Sequence, residues 1–431
     1  MKISIKRLCL WIAILAFFLY AFTLGLHSKI YIKSTVTIPL SFIFALIVLK
    51  NYTQKQKGNV LLQCCGILMI IVVVLFNNQN VKHGEYYQLY FSITMILFFI
   101  IASKSECWID IYMKLLSCIG IFYMGTTFVC FISSSFFYNI VVPTFESYGY
   151  MEQMKRLYAE GCITGFTPHY STNAMYLATT LGVFISLLLC RKKKNKIYLF
   201  FTIMTIAAIF LTGKRAHAIF GVVAFILAYY FLHSDHPLGR WGKIFLGAVI
   251  SLGGFVIASE FIPQLMNVIN RFVETAASGD IEKGRDVLRA TALALWKNNL
   301  WFGIGWDGFK YYYLLHGGEY VNVHCVFIQL LCECGIIGAV PFYLFFIVSI
   351  WRSILTLKNI AKSKIQNEFI RTNMVYAVYI QLFFLMYCFT GNPLYDEPTL
   401  LSYIAGCAIG EYYHMKLNDK EYKRMIDKKC K

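Results

Sequence analysis

Charge is scarce in this sequence. Asp, Glu, Lys and Arg together make up 14% of its 431 residues, against 58% hydrophobic side chains. A soluble domain carries charge at around 25%, so a water-soluble globule is excluded. Metal and disulfide spacing is also missing. There are 14 cysteines, but no CxxC pair, and Cys332-Glu333-Cys334 has the wrong spacing for zinc. Nearly all the cysteines fall in apolar runs or on the expected inner side, with Cys162 the clear exception, which is no disulfide framework. The acids Asp280, Glu282, Asp286 and Asp307 are scattered, with no tight Asp-x-Asp pair of the kind that holds a divalent ion against a nucleotide sugar. No metal and no cofactor is expected. No repeat of fixed period is present.

What the chain does have is a succession of long apolar runs. They fall near 8–26, 34–49, 60–76, 86–102, 111–133, 171–190, 197–212, 216–232, 244–261, 324–351, 372–390 and 398–414. Each is about the length needed to cross the hydrocarbon core as a helix, the form that satisfies backbone amides in lipid. The expected fold is all-α, a polytopic transmembrane helical bundle of about twelve spans forming one domain over residues 1–431. The opening Met1-Lys2-Ile3-Ser4-Ile5-Lys6-Arg7 and its apolar run resemble a signal peptide. No small-x-small cleavage site follows, so the run is read as an uncleaved first helix.

The net charge of +18 raises the question of nucleic acid, and its placement answers it. With both termini cytoplasmic, 26 Lys and Arg fall on inner segments and 13 on outer ones, with Lys114 inside a span. That is the positive-inside bias of a membrane protein. The densest group, Arg191 to Lys196, is a topology signal in contact with membrane lipids rather than a nucleic-acid site.

Two expected outer segments, 134–170 and 262–323, are too long to be simple connectors, and long loops tend to be functional. In the second, Arg285 to about Asn298 reads as a helix with Arg285, Arg289 and Trp296 on one face. Two cations beside an aromatic suit a phosphate and a stacked sugar; a solvated cationic face with a buried Trp suits the spacing equally. Gly303-Ile304-Gly305-Trp306-Asp307-Gly308 matches GxGxxG without the strand and helix a dinucleotide site requires, so it reads as a tight turn at the membrane surface. Lys214 and Arg215 sit in a hairpin with almost no loop, where charge is costly unless it snorkels or faces water. They are either an interfacial pair or cations held for an anionic substrate. His324 and Glu333 open the tenth span, and an acid as deep as Glu333 needs a partner.

His324-Cys325, nine residues, and then Gly335-Ile336-Ile337-Gly338 resemble the signature of the O-antigen ligase and polymerase superfamily, with Cys325 where an Asn, Ser or Gln is usual. Leu211-Thr212-Gly213-Lys214-Arg215-Ala216 resembles that family's cationic hairpin. Gly284-Arg285, Trp296, Phe302-Gly303-Ile304-Gly305 and Phe309 resemble its large external loop, with Leu300-Trp301 where a Pro is usual. Thr164-Gly165-Phe166-Thr167-Pro168-His169-Tyr170 is similar to the segment before the sixth span, with His169 where Asn is common. The resemblance implies an enzyme of the bacterial plasma membrane, the inner membrane. It would take a lipid-linked oligosaccharide, an undecaprenyl pyrophosphate glycan, and transfer the glycan on the outer face by an inverting, metal-independent mechanism. A chain-length regulator and a flippase are the implied companions. Arg215, Arg285 and His324 are the expected catalytic residues, with His324 as base, and Lys214, Arg289, Trp296 and Glu333 are expected to bind substrate. Polymerase, ligase to a lipid A core, and flippase or permease remain three readings of these residues.

Overall fold

In the computed structural model the described residues are 5–22, 43–44, 47, 60–77, 87–145, 151–191, 193, 195–233, 284–363 and 367–418. Among them every regular element is helical: α1 (Ile5–Phe22), α2 (Val60–Leu75), α3 (Tyr87–Ala102), α4 (Ile109–Ile132), α5 (Met151–Ala159), α6 (Tyr170–Cys190), α7 (Asn195–Leu211), α8 (Arg215–Leu232), α9 (Arg285–Asn298), α10 (Phe309–Leu315), α11 (Val326–Lys362), α12 (Glu368–Tyr387) and α13 (Glu397–Asn418). A short broken helical run at 134–144 follows α4.

Among the described residues five helices, α4, α6, α8, α11 and α12, are long and apolar enough to cross a membrane. The chain is a multi-pass helical membrane protein. The expected spans at 244–261 and most of 34–49 lie outside the described residues. The remaining expected spans carry helices; those in α1, α2, α3 and α7 are shorter apolar ones, and α13, at the expected span 398–414, falls in neither group.

The most buried elements are α6, α12 and α13. α12 lies against α6, α8 and α13, while α11 lies against α2, α12 and α13. Several polar groups inside the bundle are matched, which the low dielectric favours. The hydroxyls of Tyr112 and Tyr376 are 2.7 Å apart. Tyr379 donates to the Ala178 carbonyl at 2.9 Å, and Gln381 joins Ser349 and Ser353 at 3.0 and 2.8 Å. At the far end of α11, Arg352 pairs with Glu411 at 3.1 Å.

α11 is broken near its start. Gly335 has φ 62° and ψ −168° inside an otherwise helical run, a conformation open to glycine and closed to most other residues. The break frees backbone groups, and the segment after α9 takes them up. Ile304 and Gly305 donate to the carbonyls of Cys332 and Glu333 at 2.9 and 2.8 Å, while Ile336 and Ile337 donate to those of Leu300 and Trp301 at 2.9 and 3.2 Å. The approach is close enough that a Cβ on Gly335 would stand 2.3 Å from the Trp301 backbone, and one on Gly303 2.4 Å from that of Glu333. The GxGxxG stretch is thus a strap laced across a broken helix.

Candidate functional site

The start of α8, the start of α11, helix α9 and the α12–α13 connector meet at one end of the bundle. α9 is placed by its apolar stripe. Leu288, Ala292 and Leu295 recur at helical spacing and pack with Phe309, Val323, Cys325 and Cys332. Asp286 in its first turn and Lys297 in its last complement the helix dipole. With that stripe fixed, Arg285 and Arg289 reach the connector. Arg285 Nη1 donates to the Thr390 carbonyl at 3.2 Å, and Arg289 Nη2 to that of Phe389 at 3.0 Å.

His324 has φ 58°, one of two non-glycine residues with positive φ among those described. Such a backbone stores strain and persists where its surroundings hold it. Here Asn392 of the connector does so. The His324 N–H donates to Asn392 Oδ1 at 3.0 Å, and Asn392 Nδ2 lies 3.4 Å from His324 Nδ1. Burial, and then the charges of Arg285, Lys214 and Arg289, push the His324 imidazole down to about 4.

Lys214 stands at the N-terminal edge of α8. Burial and the neighbouring Arg285 push it down to about 8, Asp396 pulls it back up, and Arg215 pushes it down again. Its ammonium lies 5.9 Å from the Tyr170 ring centroid. His169 caps α6 through Nδ1, which accepts from the Ser171 N–H at 3.1 Å; burial and Lys214 push its imidazole down to about 4. Asp396 accepts from the Tyr387 hydroxyl at 3.4 Å. Burial raises its carboxyl to about 7, with Tyr387 and Lys214 pulling the other way.

The structure therefore brings Lys214, Arg285, Arg289 and His324 together, with Arg215 beside Lys214. Trp296 shares their helix face but lies eleven residues along α9 from Arg285, about 16 Å at 1.5 Å per residue. It is half-buried, and no hydrogen bond reaches its indole N–H. Glu333 belongs elsewhere. It is fully buried and accepts from the Asp307 and Phe309 amides at 2.9 and 3.3 Å, Gln329 at 2.9 Å and Tyr395 at 2.5 Å. Its partners are the strap and the connector, so its observed work is to fasten them to α11.

Sequence reasoning passed over Asp396, Asn392 and Tyr387. A signal was present: segment 391–397 is the one expected outer loop with no Lys or Arg, and it carries Asp396 and Glu397. Among the described residues no three His, Cys, Asp or Glu side chains gather as metal ligands would.

The arrangement can hold a multiply charged anion against forked donors, beside two neutral imidazoles and one carboxyl of intermediate acidity. Residues 200–343 match the family model described as O-antigen ligase. The resemblance to the O-antigen ligase and polymerase superfamily is shown over that stretch, which contains Lys214, Arg215, Arg285, Arg289 and His324. No curated protein matches the chain.

Proposed function

We propose that this chain is a membrane glycosyltransferase that moves a glycan from undecaprenyl pyrophosphate to an acceptor sugar hydroxyl at the outer face of the bacterial plasma membrane. Polymerisation of repeat units is the favoured form and ligation to a lipid A core the second. The observation that carries the reading is the convergence of Lys214, Arg285, Arg289 and His324 where α8 and α11 begin, inside the stretch that matches the family.

The chemistry follows from the charges. The acceptor oxygen attacks the anomeric carbon from the side opposite the leaving group, which inverts that centre. As the bond to pyrophosphate breaks, negative charge grows on the leaving oxygen. Fixed cations aimed at that charge lower the barrier without having to reorganise. Arg285 and Arg289 are anchored by the Thr390 and Phe389 carbonyls, which fixes their forks in advance. The cations replace the divalent ion that many sugar transferases use, so the reaction is proposed to be metal-independent. His324 stays neutral among them at pH 7. Trp296, on the same helix face, offers a surface for a sugar of the glycan about 16 Å from the phosphate site.

A flippase is disfavoured by the broken helix. In transporters a helix break lines a cavity and leaves backbone groups for substrate or ions. The groups freed at Gly335 are taken up by the strap.

Purified protein in EDTA, given an undecaprenyl pyrophosphate-linked repeat unit, should release undecaprenyl pyrophosphate and make longer glycans. Activity lost to EDTA and restored by Mg²⁺ or Mn²⁺ would contradict metal independence. Movement of the lipid across a vesicle with no new glycosidic bond would favour the transporter.

A further inference from the structure

We propose that Asp396 takes the proton of the acceptor hydroxyl, while His324 presents an N–H to the reacting groups rather than a lone pair. The assignment rests on the glycan-transfer reading above and reverses the role that the sequence gave His324.

The orientation of one amide decides the histidine's role. The His324 backbone N–H is a donor, so the Asn392 atom that meets it at 3.0 Å must be the carbonyl oxygen. The amide nitrogen then faces His324 Nδ1, at 3.4 Å. An amide nitrogen only donates, so Nδ1 accepts. In a neutral imidazole one nitrogen carries the proton, and here that is Nε2. A protonated Nε2 can steady a developing anion but cannot receive the acceptor's proton.

The carboxylate is placed for that task. Asp396 is partly exposed beside the most buried part of the connector, and Tyr387 holds its Oδ2 at 3.4 Å. Among the described residues no hydrogen bond reaches Oδ1. The groups facing it are Lys214 from the α7–α8 hairpin and Tyr387 from α12. Arg215 and Arg285 act through Lys214, and the His217 ring lies 4.5 Å from that of Tyr387. Burial sets the Asp396 carboxyl at about 7, where a group is both free to accept a proton and basic enough to hold it. Pyrophosphate bound to Lys214 diverts the charge that pulls this value down, so the donor substrate strengthens the base. In the step itself the acceptor oxygen bonds to the anomeric carbon as the carbon–pyrophosphate bond breaks. The bonding pair leaves with the pyrophosphate, and the hydroxyl proton passes to Asp396 and later to solvent.

Two measurements test the proposal. In ¹⁵N-histidine-labelled protein at pH 7, the signals lost in His324→Gln should be those of a bare Nδ1 and a protonated Nε2. A protonated Nδ1 would overturn the histidine's role whatever the activity. In glycan transfer from the lipid-linked donor, Asp396→Asn should lose a hundredfold or more, the span of a general base. His324→Gln, whose amide still donates, should lose roughly tenfold, one hydrogen bond's worth. The wild-type rate should rise with pH through about 7, and that rise should persist in His324→Gln and shift in Asp396→Glu. Asp396→Asn within threefold of an active wild type, or a rise that vanishes in His324→Gln, would overturn this assignment alone. A wild type that transfers no lipid-linked glycan would overturn the functional reading and this assignment with it.

Discussion

Lys214 holds its proton only up to about pH 8, because burial and Arg285 disfavour the ammonium. Its free-state value is depressed, so its charge is complete below pH 8 and lost as pH rises through it. Affinity for a lipid pyrophosphate should therefore fall above pH 8. Lys214→Arg, charged at every accessible pH, should remove that fall in a binding titration run from pH 7 to 9.5. An alkaline fall that survives in the variant would exclude Lys214 as its source. Glu333 makes a different point, that a deep acidic side chain can be met entirely by donors of the protein itself. Its two oxygens receive four donors, and a Gln would turn an NH₂ toward some of them. Glu333→Gln should destabilise the fold by about 1–3 kcal/mol, the cost of buried donors left unmet, seen as a lower melting temperature in detergent. Unchanged melting with weakened substrate affinity would restore its expected binding role. The sequence showed that Glu333 needed partners but could not show which, since those partners come from 307–309, 329 and 395. Arg285 and His324 were legible because motif spacing and position both pointed to them. Asp396 and Asn392 were not, because a nine-residue connector has no periodicity to read.

The helix break and its strap form one element, although 30 residues of sequence separate Gly305 from Gly335. Each supplies the hydrogen bonds that the other lacks. Gly335→Ala would add a Cβ 2.3 Å from the Trp301 backbone at a φ of 62°. Neither chain can yield without breaking the lacing, so the variant should fail to accumulate in the membrane. Gly317 also has positive φ, 84°, but its Cβ would meet open space. Gly317→Ala should cost only about 1 kcal/mol of backbone strain and leave the protein at normal levels. Equal abundance of the two variants, read by immunoblot, would show that the lacing does not hold α11. The sequence marked both glycine pairs and placed a turn at the first. Their mutual contact was invisible because backbone-to-backbone pairing leaves no side-chain pattern.

Across the whole molecule, hydropathy exposed the class of fold directly, because a lipid-facing helix must be apolar along its full length. Among the described residues five helices reach spanning length and hydropathy, and the cluster lies at the bundle end where α8 and α11 begin. The charge asymmetry of the sequence predicts that this end lies outside the cytoplasm. Reporter fusions at residues 290 and 425 should accordingly lie on opposite sides of the membrane. A cytoplasmic signal at 290 would remove the site from the face where the proposed chemistry happens. The central claim is that the cation-and-imidazole cluster transfers glycan from a lipid pyrophosphate, and Arg285 tests it most directly. Lysine keeps the charge of Arg285 but not the fork that anchors on Thr390 and grips phosphate. In cells whose only copy is Arg285→Lys, polymer length on a glycan gel should collapse to single repeat units, with the protein at wild-type level in the membrane. Full-length polymer from that variant would contradict the account.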